Sequence, residues 1–266
     1  MSVPPDPAAA SPTPTPASEP ARSRRRLACG LALLLPVVLL VALVAWEAEP
    51  RPTGVEGPVA EALAARLEAA VHLPAWRATG AVRWTFAGMH RHLWDRGRGL
   101  ALVEEGTRRV YLRLADQSGR AFEGGQELEG AARAGALAWA WDAWCNDSFW
   151  LNPLAKLRDA GVTREAVGEH GLLIRYASGG VTPGDAYLWV LGPDDLPTRW
   201  KMWVSIIPVP GVDATWEGWT TLATGAKVAT LHRIGGLLPL ELSEVKGAAT
   251  LAELEPGPDP FAPLGD

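Results

Sequence analysis

The sequence predicts an α+β, β-dominated fold: one antiparallel sheet with a few helices, preceded by one transmembrane helix. Three observations carry this. Two long stretches, about 80–114 and 172–206, alternate apolar and polar residues with the period of a strand. Two other stretches carry helical spacing, one before the first strand set and one between the two sets. Finally, residues 27–46 contain no charge, and twenty helical residues span about 30 Å, the thickness of a bilayer's hydrocarbon core.

The N-terminal segments follow from composition. Residues 1–21 are mostly Pro, Ala, Ser and Thr, which offer little apolar surface to offset chain entropy, so residues 1–26 are expected to be a disordered tail. Arg22, Arg24, Arg25 and Arg26 precede the apolar run and Glu47 and Glu49 follow it. The positive-inside bias then places the tail in the cytoplasm and the rest of the chain outside it. A cleaved signal peptide has the same charge order, but the exit LVAWEAEP lacks the small-x-small pattern that cleavage needs. Lipidation at Cys29 is disfavoured too, because Arg26 stands where an aliphatic residue is wanted and the apolar run follows the cysteine. The expected place is therefore the bacterial inner membrane, single-pass through residues 27–46, with the main domain periplasmic.

After a Pro/Gly-rich linker (47–57), Val59, Leu63, Leu67 and Val71 recur four apart, which predicts an amphipathic helix. Val82, Trp84 and Phe86, then His90, His92 and Trp94, share strand parity. Leu100 and Leu102, then Val110, Leu112 and Leu114, flank a turn at Glu105-Gly106-Thr107. Residues 131–158 read as a helix breaking around Asn146 and Pro153. A second meander follows: Leu172 to Tyr176, a turn at SGGVTPGD, Tyr187 and Trp189, a turn at GPDDLP, and Trp200 to Ile206. Further strands are expected around Trp216–Leu222, Ala226–His232 and Leu238–Val245. The main domain thus covers 58–250, and the Pro-, Gly- and acid-rich residues 251–266 read as a loose tail.

Composition narrows the function classes. The chain holds 25 basic and 30 acidic residues; with the four arginines and two acids of the first 26 set aside, 21 and 28 remain, a net of −7. Such a domain has no electrostatic footprint for phosphate backbones, so no nucleic-acid partner is expected. Of the two cysteines, Cys29 lies in the apolar stretch and Cys145 alone in the large domain, so they make no disulfide framework. No G-x-S-x-G, phosphate-cradling glycine loop, H-E-x-x-H or C-x-x-C is present. No catalytic residue and no cofactor is expected.

Two polar constellations remain. His90-x-His92 could share an ion from one strand face, and His232 or Asp95 could supply a further ligand, but nothing in the spacing demands one, so no metal is expected. Asp142, Cys145, Asn146 and Asp147 cluster in an apolar setting. A lone cysteine beside carboxylates has a raised pKa, and the group reads first as a helix end.

Tryptophan is the strongest oddity, at 13 residues against 4 Phe and 3 Tyr. Trp200 and Trp203 have opposite strand parity, as do Trp216 and Trp219, which puts indoles on both sheet faces. The order helix, meander, central helix, meander, with the string from Leu151 to Val162, GVTPGDAYLWV and a Pro-x-Arg-Trp strand, resembles the lipoprotein-carrier half-barrels (the LolA/LolB-like superfamily). That resemblance implies a curved antiparallel sheet, an open half-barrel, wrapped around helices that hold acyl chains, and it implies binding without catalysis. The expected groove lies between the concave face and the 131–158 helix, lined by Val82, Trp84, Phe86, Trp94, Trp144, Trp189, Trp200 and Met202. The expected partner is a lipid or acylated ligand. The alternatives are an interaction module docking an envelope protein, or a hydrolase using Asp142, Asp147 or the histidine pair.

Overall fold

The computed structural model describes residues 48–177, 184–207 and 209–265. The expected cytoplasmic tail, the apolar span at 27–46 and most of the SGGVTPGD turn lie outside the described residues. Among the described residues no helix is long and apolar enough to cross a membrane. Residues 47–266 form one compact unit.

Its elements in chain order are helices α1 (Pro58–Ala70) and α2 (Leu73–Ala78), then strands β1 (Ala81–Phe86), β2 (His90–Asp95), β3 (Leu100–Glu105), β4 (Arg108–Arg113), β5 (Gly119–Glu123) and β6 (Gln126–Glu127). Helix α3 (Gly130–Leu151) and a 3₁₀ turn (Pro153–Lys156) lead to β7 (Val162–Val167), β8 (Gly171–Tyr176), β9 (Ala186–Leu191), β10 (Pro197–Trp203) and β11 (Val212–Thr215). A small ribbon of β12 (Thr220–Thr221) and β13 (Lys227–Val228) precedes β14 (Leu231–Ile234), β15 (Leu238–Ala248) and α4 (Leu251–Leu254).

Thirteen strands make one curved antiparallel sheet that does not close into a barrel. Its order is β6-β5-β4-β3-β2-β1-β15-β14-β11-β10-β9-β8-β7, so the last long strand joins the two meanders by pairing with β1 on one side and β14 on the other. An open sheet leaves two edges with unpaired backbone groups. At the β7 edge the linker covers part of the exposure: Val55 and Ala166 exchange two backbone hydrogen bonds, at 3.0 and 2.8 Å.

Period-two alternation explains which side chains turn inward. Trp84 pairs with His92, Phe86 with His90 and Val82 with Trp94 across β1 and β2, so all six share the inner face. On β10 and its neighbour, Trp200 pairs with Trp189 and Met202 with Tyr187. Trp84, Trp189, Trp200 and Trp216 are all buried together with Trp150 of α3. Trp203, of opposite parity to Trp200, is half-buried and its indole donates to the Glu49 carbonyl at 2.7 Å.

The helices depart from expectation in instructive ways. In α1 the buried stripe is Ala60, Leu63, Ala64 and Leu67, continued by Val71, while Val59 is 63 % exposed. The stripe follows i, i+3, i+4, i+7 spacing from Ala60; of the four apolar residues four apart, Val59 alone lies off that face. Helix α3 runs through Asn146 unbroken and ends at Leu151, where Asn152 precedes a proline that disfavours further helix. The Asn146 amide does not cap a helix end; it donates to Asp147 Oδ1 at 2.9 Å.

The C-terminal stretch, expected as a loose tail, docks on the outer face instead. Phe261 is 2 % exposed among Leu93, Leu100, Leu102 and Tyr111, and Arg98 pairs bidentately with Asp259 at 2.7 and 2.8 Å. Leu100 and Leu102 point outward while Ala101 and Val103 face in, so the sheet is apolar on both sides here and needs a cover. Beyond the named expectations, β5, β6 and β7 extend the two meanders to the sheet edges.

Candidate functional site

Helix α3 divides its faces by helical period. Ala136, Ala140, Asp147, Trp150 and Leu151 are buried. Trp141, Trp144, Cys145, Ser148 and Phe149, at i, i+3, i+4, i+7 and i+8, line a cavity of about 570 Å³, joined there by Asn146 and by Trp150. Across it stand Phe86 of β1, Tyr176 of β8, Tyr187 of β9, and Trp200 and Met202 of β10. The segment after β10 adds Val204, Ile206 and Ile207, and Ile234 and Leu240 close the remaining side. Ile206 is 67 % exposed, so the cavity reaches solvent there. Lys156 and Asp159, an exposed pair 3.6 Å apart, form a charged part of its rim.

The residues singled out from sequence divide between cavity and core. Phe86, Trp144, Trp200 and Met202 line the cavity. Val82, Trp84 and Trp189 are fully buried in the core that supports it, outside its lining. Trp94 packs edge-on against Trp144, 5.4 Å between rings, and under the Arg96 guanidinium, 5.3 Å from its ring. Sequence reading missed Tyr176, Tyr187 and Phe149, whose rings lie 5.2 to 5.9 Å apart in one group.

Several of the lining residues carry polar groups. The Trp144 and Trp200 indole N–H groups and the Tyr176 hydroxyl are buried with no hydrogen-bond partner among the described residues. Tyr187 donates to Asp185 Oδ2 at 3.4 Å, and burial pushes both tyrosine pKa values up. Both phenols therefore stay protonated donors at neutral pH. The Cys145 thiol is pushed up to about 11, by burial first and by Asp142 second. It is a wall of the cavity and a poor nucleophile.

A second cluster adjoins the cavity through Phe86 and Asn146. His90 Nδ1 and His92 Nε2 both approach Asp147 Oδ2, at 2.8 and 2.7 Å. Both imidazoles come from one strand face, and the unbroken α3 turns Asp147 inward to meet them. The three donor atoms lie within 4.8 Å of one another. His92 stacks on Trp84, 4.5 Å between rings, and burial lowers its pKa against the pull of Asp147. The other residues considered as ligands are engaged elsewhere. Asp95 pairs with Arg98 at 2.6 Å. His232 lies between Trp216 and Trp150 and donates from Nδ1 to the Thr215 carbonyl at 3.0 Å, with its pKa pushed down to about 4 by burial. Away from both sites, a recess of about 500 Å³ between the linker and β7–β8 has a charged lining in which Arg175 pairs with Glu165.

No family model matches the chain, and no curated protein does. Among solved structures it is similar to a DUF1329 family protein from Desulfovibrio piger, with 12 % identity, coverage of 71 % of this chain and 97 % of that one, and a TM-score of 0.34.

Proposed function

We propose that the domain binds one apolar chain, a fatty acyl group or a similar lipid, in the cavity between α3 and the concave face of the sheet. The observation that carries this reading is the cavity's lining. A volume of about 570 Å³ falls in the range of small-molecule sites, and its walls are aromatic and aliphatic with a few polar groups. The sequence resemblance to the lipoprotein-carrier half-barrels supports it independently. Magnitudes agree: a chain with fourteen buried methylenes gains about 11 kcal/mol at about 0.8 each. Association costs of about 4 kcal/mol or more leave a Kd on the order of 10 μM or weaker.

The test uses residues 48–266 prepared without detergent, since residues 47–266 form a compact unit with its own core. Native mass spectrometry should find one lipid per chain, and titration of delipidated protein with palmitate should change tryptophan fluorescence. A protein that carries no lipid and gives no response up to the solubility limit of palmitate does not bind acyl chains.

The same reading places the domain on the periplasmic face of the inner membrane, anchored by residues 27–46. It rests on the four arginines before the uncharged run. A reporter that is active only outside the cytoplasm, fused after Asp266, should work; a silent fusion reverses the orientation.

A further inference from the structure

We propose that His90, His92 and Asp147 form a binding site for one divalent transition-metal ion of the zinc class, with His90 Nδ1, His92 Nε2 and Asp147 Oδ2 as donors. The proposal is independent of lipid binding. No metal is expected from the sequence, because nothing in the spacing of the two histidines demands a third ligand. The fold supplies it from a helix more than fifty residues away along the chain.

The plain alternative is a structural hydrogen-bond network, and three features favour the ion. First, the convergence is on a single atom: both imidazoles aim at Asp147 Oδ2, while Oδ1 is held separately by Asn146 at 2.9 Å. Second, the carboxylate is 1 % exposed, yet among the described residues its ion-pair partners are these two histidines, with no arginine or lysine. A buried carboxylate is costly without a compensating cation, and a bound ion supplies one. Third, a carboxylate stands near the outer nitrogen of His90. Glu105 Oε1 lies 3.7 Å from His90 Nε2 and is itself 3.9 Å from Arg108. At that separation the carboxylate favours a proton on the far nitrogen of His90 by charge alone, without a hydrogen bond, while His92 Nδ1 is buried with no hydrogen-bond partner among the described residues.

Distances fit after a small adjustment. Metal bonds of about 2.0–2.2 Å place tetrahedral donors about 3.3 Å apart. The present 2.7 and 2.8 Å separations would open by about half an ångström, and His90, 17 % exposed at the rim, has room to move. Two imidazoles and one carboxylate suit Zn²⁺ or Co²⁺, whereas Ca²⁺ and Mg²⁺ want oxygen donors. Three protein donors leave a fourth position, on the His90 side, for water or an external ligand.

The experiment uses the full-length chain, stripped with a chelator and titrated with Co²⁺, whose visible bands report the geometry of its ligands. One Co²⁺ per chain should bind with absorption of a four- or five-coordinate ion, and Zn²⁺ should abolish the bands. Asp147→Asn keeps an acceptor for the histidines but removes the anionic ligand. It should stay folded by near-ultraviolet circular dichroism and weaken Co²⁺ by more than the roughly 10–100-fold an outer-shell partner is worth. His90→Gln, changed at the rim, should do the same and serves if Asp147→Asn fails to fold. A full-length chain that binds neither ion, or variants that bind as the parent does, would overturn the site.

Discussion

Trp189→Ala is expected to lower the free energy of unfolding by about 3–5 kcal/mol, the range for truncating a large buried aromatic side chain. Trp189 is fully buried and its ring lies 4.8 Å from both Trp200 and Trp216. It pairs with Leu172 on β8 and Trp200 on β10, so no single neighbour can collapse into the space it leaves. Against total stabilities of about 5–15 kcal/mol, this loss brings the domain near its unfolding threshold. Two comparisons sharpen the result. Trp189 Nε1 is a buried donor without a partner among the described residues. Trp189→Phe removes that donor, which offsets part of the smaller void, and should cost no more than about 2 kcal/mol. Trp203→Ala, at a half-buried ring with one hydrogen bond, should cost about 1 kcal/mol. Urea unfolding of the three variants checks the order; a Trp189→Ala loss no larger than that of Trp203→Ala would mean the aromatic cluster is not the core's keystone.

Much of this architecture was legible because alternation in strands is a local property. Val82, Trp84 and Phe86 with His90, His92 and Trp94 declare one face of one hairpin without reference to anything distant. The edge strands were not, since β5 carries one fully buried residue, Ala121, and β7 is half polar without alternation, its buried position being Glu165. Composition also hid the C-terminal cover, where Phe261, three leucines and ion pairs of Glu255 and Asp259 are scattered among prolines and glycines. At the site, element order located the groove between helix and sheet, but which tryptophans line it depends on sheet curvature. Val82, Trp84 and Trp189 have the right parity and sit too deep. Asp147 is the clearest case. In sequence it reads as a cap after Asn146; only when α3 continues through that position does its carboxylate face the histidines of β2. Nothing local announces this continuation, because an asparagine followed by an aspartate favours a cap or turn as much as a helix interior.

Ser148→Trp is expected to weaken palmitate binding by about a hundredfold while leaving the fold intact. Ser148 lies on the cavity face of α3, one turn from Trp144 and Cys145, and is only half-buried. An indole placed there covers about 150–250 Å² when buried, room that about four methylenes of a bound chain would otherwise use. At about 0.8 kcal/mol per methylene the loss is about 3 kcal/mol, or roughly a hundredfold in Kd. The protein itself should lose little, because Ser and Trp have similar helix propensities and the new ring faces open space. Ala138→Trp provides the control. It sits on the same helix but is exposed and outside the cavity lining, so it should bind as the parent does. Palmitate affinity from fluorescence titration, with thermal midpoints for both variants, separates the outcomes. If Ser148→Trp keeps its midpoint and binds palmitate as tightly as Ala138→Trp, the acyl chain does not lie between α3 and the sheet.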